Sequence, residues 1–195
     1  SYEAIRDHIL RLGDEGPVFV KDMSYYVMPR ILDELAFCER ITSCFLIRDP
    51  LAAILSYHKL DPELTPEEVG IEAQWKHFEG LRQMTGTAPV VVASEDIRAD
   101  ARGVVSRLWQ AVDLPPNDAA FDWQDETPDD WQQVSGWHGD VTSSGSIQPM
   151  NANETARKAE EFERRASEHP RLRDLLDWHE PSYLKLKAHR LAIND

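Results

Sequence analysis

Apolar positions in the first half of the chain follow two alternating patterns. Ile5, Ile9 and Leu12 recur at helical spacing over residues 2–12, and Gly13 offers a stop. Three short apolar runs follow along the chain: Pro17-Val-Phe-Val20, Ser43-Cys-Phe-Leu-Ile47 and Pro89-Val-Val-Val-Ala93. Runs of this length predict strands buried on both faces. Helices are predicted between and after them. One spans residues 29–38, with Pro29 near its first turn. Asp49-Pro50 opens the next, since Asp can cap and Pro is tolerated at the first helical position. Thr65-Pro66-Glu67-Glu68 is a capping-box sequence starting a longer helix to about Met84. Asp100 stands ready to cap a helix with Val104, Val105, Leu108, Trp109 and Val112 on its buried side. Buried strands alternating with helices predict an α/β fold, a three-layer sandwich around a mostly parallel sheet.

The pattern breaks between Leu114 and Met150, a loop-rich stretch holding Trp123, Trp131 and Trp137. Its length exceeds an ordinary connector and suggests a functional cover or a mobile segment. Two helices, about 153–168 and 171–188, follow, with His169-Pro170 as the break between them. The expected organisation is one domain over 1–195: an α/β core at 1–113, a cover at 114–150 and C-terminal helices at 151–195.

Charge narrows the partners. A formal net charge of -14 disfavours broad contact with nucleic acid or an anionic membrane, which require a basic face. It leaves room for a small anion, because a few cations in a cleft can dominate locally. The acidic excess gathers at 61–72, 113–130 and 154–168 and reads mostly as solvated surface. No apolar run approaches membrane-spanning length, and the N-terminus does not read as a signal peptide. Cys38 and Cys44 lie in apolar stretches with no zinc-type spacing, which reads as reduced thiols and a cytoplasmic setting. No metal cluster is evident, so no metal is expected.

Open parallel sheets bind ligands beyond the carboxyl ends of their strands. Each predicted strand here ends in abrupt polarity: Lys21-Asp22, Arg48-Asp49 and Ser94-Glu95-Asp96. Arg48 is the most informative, because a guanidinium offers a rigid fork of donors matched to phosphate oxygens. Ser56, eight residues on and two turns into the next helix, can donate to the same anion. Pairing of Arg48 with Asp49 or Glu95 is an equally simple structural use of the arginine.

The segment Phe45-Leu-Ile-Arg-Asp-Pro-Leu-Ala-Ala-Ile-Leu-Ser-Tyr57 resembles the 3′-phosphate-binding motif of sulfotransferases that use 3′-phosphoadenosine-5′-phosphosulfate (PAPS). The resemblance implies a P-loop-type α/β fold and a 3′-phosphate held by Arg48 and Ser56. Val90-Val-Val-Ala-Ser-Glu-Asp-Ile97, the following helix and Leu114-Pro115 are similar to the family's strand, Glu-Asp-Leu and helix block, with Glu95 as a structural contact. Phe19-Val-Lys21 resembles the strand that delivers a lysine beside the transferring sulfonate. The similarity spans roughly residues 17–115.

The sequence also departs from the family. Met23 stands where many members carry a catalytic histidine, leaving Asp22 and His138 as candidate general bases. No Gly- or Ser-rich phosphate loop precedes Lys21, so either an N-terminal segment bearing it is missing, the favoured expectation, or the fold is a degenerate relative. The family's Arg-Lys-Gly sequence is absent as well; residues 136–146 read either as its replacement, through hydroxyls and backbone amides, or as a plain mobile Gly/Ser loop. The leading expectation is sulfonate transfer from PAPS to a hydroxyl or amine of a small molecule. In that scheme Lys21 stabilises developing charge, and Asp22 or His138 takes the acceptor proton. A non-catalytic or truncated sulfotransferase-like nucleotide-binding domain, and a P-loop phosphotransferase, are the alternatives.

Overall fold

A computed structural model describes residues 1–123 and 145–192. Helix α1 spans Tyr2–Glu15, its first turn capped by the Ser1 hydroxyl. Two short helices follow, α2 (Ser24–Val27) and α3 (Leu35–Cys38), with a 3-10 turn at Arg30–Asp33 between them. The single helix expected over 29–38 is thus two pieces, broken at Glu34, whose backbone leaves the helical region.

Strand β1 (Cys44–Ile47) runs into α4 (Pro50–His58) through Asp49, whose Oδ1 accepts the Ala52 N–H at 3.0 Å. The capping box at Thr65 forms in full, but it opens only a one-turn helix, α5 (Pro66–Val69). Gly70 then takes a left-handed conformation, and α6 (Ile71–Thr85) starts afresh. Strand β2 (Val90–Ala93) passes directly into α7 (Ser94–Ala99), and α8 (Ala101–Ala111) begins at the Asp100 cap, which accepts the Gly103 N–H at 2.9 Å. After a 3-10 turn at Asp118–Phe121, the described chain resumes at 145 and ends in α9 (Glu154–Glu168) and α10 (Arg171–Lys187).

The predicted three-layer α/β sandwich does not form. The chain is 63% helical and 5% strand, and the two strands β1 and β2 pair in parallel from Cys44 opposite Val90 to Ile47 opposite Ala93. Arg190, just past α10, adds an isolated parallel bridge to Val91. The third expected strand is missing because residues 17–20 have no strand beside them among the described residues. They lie exposed, with Phe19 at 91% of its full accessibility, and make no backbone hydrogen bond within the described chain. A strand exists only through its ladder partners, and an apolar run without them is not one.

Helices bury the sheet instead. Phe45, Ile47, Val91 and Ala93 pack with Phe78 and Leu81 of α6 and with Tyr183 and Leu186 of α10. A second core joins Ile54 and Leu55 of α4 to Phe162 and Ala166 of α9 and Leu172 and Leu175 of α10. Each fully buried large apolar side chain here removes area worth about 1.5–3 kcal/mol. This second core fixes α4 against α9, and the candidate site lies over it. Among the described residues no helix is long and apolar enough to cross a membrane.

Candidate functional site

Arg48 stands between the last residue of β1 and the cap of α4, so strand register and cap together set its backbone position. The neighbouring turn is braced from β2. Glu95 Oε1 accepts the Asp49 N–H at 3.0 Å and the Ser94 hydroxyl at 3.0 Å. Glu95 is therefore a structural tie between the two strand ends, and Asp49 spends its carboxylate on the cap. Neither pairs with Arg48, which makes no ion pair or hydrogen bond among the described residues. The simple structural use of this arginine is removed.

Arg48 and Ser56 line one cleft of about 520 Å³. Ala52, Leu55, Ser56 and Lys59 form one stripe of α4 along it, and Glu154, Arg157, Lys158 and Glu161 form the facing stripe of α9. Both sets follow the three- and four-residue spacing that puts side chains on a single helix face. Leu55 and Ala52 are buried and give the cleft an apolar floor continuous with the second core. Four cationic and two carboxylate side chains line it, a local excess of two positive charges on a molecule of net charge -14. Such focusing is what concentrates a small anion in a cleft.

The two carboxylates are already engaged. Arg98, at the end of α7, grips Glu154 with both terminal nitrogens at 2.6 and 2.8 Å, and Lys158 adds a third bond at 2.6 Å. Hydrogen bonds from Arg98, then from Lys158, hold the Glu154 carboxyl far below the usual carboxylate range. Arg98 also donates to the carbonyls of Gln148 and Pro149, which fastens the chain entering α9 to the β2 side of the molecule. Glu161 pairs with Arg165 at 2.6 Å.

The other predicted site residues are not gathered here. Lys21 and Asp22 lie in the exposed irregular stretch before α2, and neither lines the cleft. Asp22 Oδ1 accepts the Met23 N–H at 2.7 Å. His138 and most of the 136–146 segment lie outside the described residues. Lys59, Arg157 and Lys158 are cleft residues that the sequence reading did not single out. Lys59 continues the face of Ser56 by one turn, a usable signal. Arg157 and Lys158 sit in a stretch whose acidic excess reads as plain surface. Among the described residues no group of three His, Cys, Asp or Glu is placed to hold a metal ion. Cys38 and Cys44 are both free thiols.

Comparison with protein-family models, with curated proteins and with solved structures finds no match for this chain.

Proposed function

We propose that the cleft binds the 3′-phosphate of PAPS and that the protein transfers its sulfonate to a hydroxyl or amine of a small-molecule acceptor. The observation carrying this reading is the meeting of Arg48 and Ser56, eight residues apart, in one positively charged cleft with Arg48 unpaired among the described residues. A base removes the acceptor proton, the acceptor oxygen or nitrogen bonds to sulfur, and the sulfur–oxygen bond to the nucleotide breaks, releasing adenosine 3′,5′-bisphosphate. Anchoring the nucleotide away from sulfur orients the sulfonate for in-line attack. Lys21 is the candidate to stabilise the leaving oxygen, and Asp22 or His138 the candidate base. The free thiols fit a reducing compartment, and we place the protein in the cytoplasm.

A second reading, a nucleotide-binding domain without catalysis, is favoured by one observation: Lys21 and Asp22 do not line the cleft that Arg48 and Ser56 line. Thermal-shift titration with adenosine 3′,5′-bisphosphate tests the shared part of both. A rise in Tm that Arg48→Ala abolishes supports the site, and selectivity for ATP with magnesium overturns it in favour of phosphoryl transfer. Transfer of labelled sulfonate from PAPS to a panel of phenols, alcohols and amines then separates the two. Binding without transfer, in a chain carrying its full natural sequence, leaves the non-catalytic reading.

A further inference from the structure

The wall opposite Arg48 and Ser56 determines which anion the cleft can select. Glu154 and Glu161 do not repel a ligand as free carboxylates would, because Arg98 and Lys158 hold the first and Arg165 holds the second. Lys158 is committed to Glu154 at 2.6 Å. Arg157, between the two acids on the same face of α9, makes no ion pair with any described residue, and neither does Lys59 across the cleft on α4. An anion entering between the helices meets Arg48, Lys59 and Arg157, with the Ser56 hydroxyl beside them, and breaks no existing pair among the described residues to reach them.

We propose that Arg157 and Lys59 complete the phosphate site and make it selective for a doubly charged phosphate monoester. The proposal rests on the reading that the cleft takes the 3′-phosphate. A terminal monoester carries about 1.5–2 negative charges near neutral pH and three acceptor oxygens. One guanidinium satisfies a single charge and two of those oxygens. Cations from a strand end and two separate helices surround the remainder, whereas a singly charged diester leaves part of that cationic wall unmatched.

Isothermal titration of the full chain tests this with two ligands: adenosine 3′,5′-bisphosphate, which carries a 3′-phosphate monoester, and adenosine 3′,5′-cyclic monophosphate, whose one phosphate is a singly charged diester. Wild type is expected to prefer the bisphosphate. Arg157→Gln and Lys59→Gln should each weaken bisphosphate binding about tenfold or more while moving the cyclic diester little. Arg157→Lys should restore part of the preference. Arg164→Gln, the same charge change on α9 outside the cleft lining, should leave it intact. Equal weakening of both ligands by Arg157→Gln, or an effect no larger than that of Arg164→Gln, overturns the selectivity role. A loss confined to Arg48→Ala would then leave the PAPS reading standing. Absence of any preference for the bisphosphate in wild type overturns both. Circular dichroism of each variant separates lost binding from lost folding.

Discussion

His77 shows how much one side chain can commit the fold to a pH range. It lies buried on α6, edge-on to Phe45, with Nδ1 3.2 Å from the Ser24 hydroxyl and Nε2 without a partner among the described residues. Burial pushes its pKa down to about 4, against a smaller upward pull from the Asp22 charge. Between pH 4 and about 6.5 the unfolded chain therefore binds a proton that the folded chain refuses. Stability is complete above about pH 6.5, falls on acidification through that window by something of the order of 3 kcal/mol, and changes no further from this source below about pH 4. His77→Gln keeps a polar group near Ser24 but does not titrate. Urea unfolding at pH 7 and pH 4.5 should show a smaller difference for the variant than for wild type. An unchanged difference would place the proton uptake elsewhere. At the same scale, the strand end, the cap and the helix spacing that bring Arg48 and Ser56 to one cleft all follow from local sequence. The positions of Arg157 and Lys158 do not, since they reach the cleft only through the packing of α9 on α4, about a hundred residues away in the chain.

Whole elements depend on similarly small features, and Gly70 divides what periodicity alone joins. It sits at φ 74°, ending α5 and starting α6, and a Cβ placed there would lie 2.9 Å from Cδ1 of Tyr25. Gly86, after α6, has nearly the same backbone at φ 72°, but a Cβ there would meet no described residue within 4 Å. Gly86→Ala should therefore cost only the left-handed penalty, about 1–2 kcal/mol, whereas Gly70→Ala adds displacement of the Tyr25 ring. Thermal denaturation should rank wild type above Gly86→Ala and Gly86→Ala above Gly70→Ala. Equal losses would show that Tyr25 yields freely. The sequence predicted the capping box and both flanks of this region, and the helices at 2–12, 100–112, 153–168 and 171–188 have counterparts at similar bounds. Helical periodicity is local, so it survives without knowledge of the partner. The break at Gly70 was missed because one glycine inside a periodic run does not by itself stop a helix. The strand at 17–20 was misread for the converse reason: its apolar residues show what such a segment can pair with, but not whether a partner is there.

For the molecule as a whole, that unpaired segment is set against the net charge. Val18, Phe19 and Val20 are 40%, 91% and 50% exposed, in a run of high strand propensity with no ladder partner among the described residues. The edge of β1 is better protected, because the Gln74 side-chain amide donates to the Leu46 carbonyl at 3.1 Å. An open apolar run of this kind is a template for pairing with another copy. Opposing it, each copy carries a net charge of -14. That repulsion reaches about 10 Å in 0.1 M salt but only about 3 Å in 1 M. Self-association through this segment should therefore be weak at low ionic strength and grow as salt rises. Among the described residues Phe19 carries the most exposed ring and belongs to neither core cluster, so Phe19→Ser should suppress the salt-driven rise in mass with little change in Tm. Sedimentation velocity from 0.05 to 1 M sodium chloride reads the first effect, and thermal denaturation reads the second. A mass independent of salt would show that charge is not what keeps the copies apart. A Tm lowered by several degrees in Phe19→Ser would show instead that the ring is packed in solution and that residues 17–20 are part of the folded core.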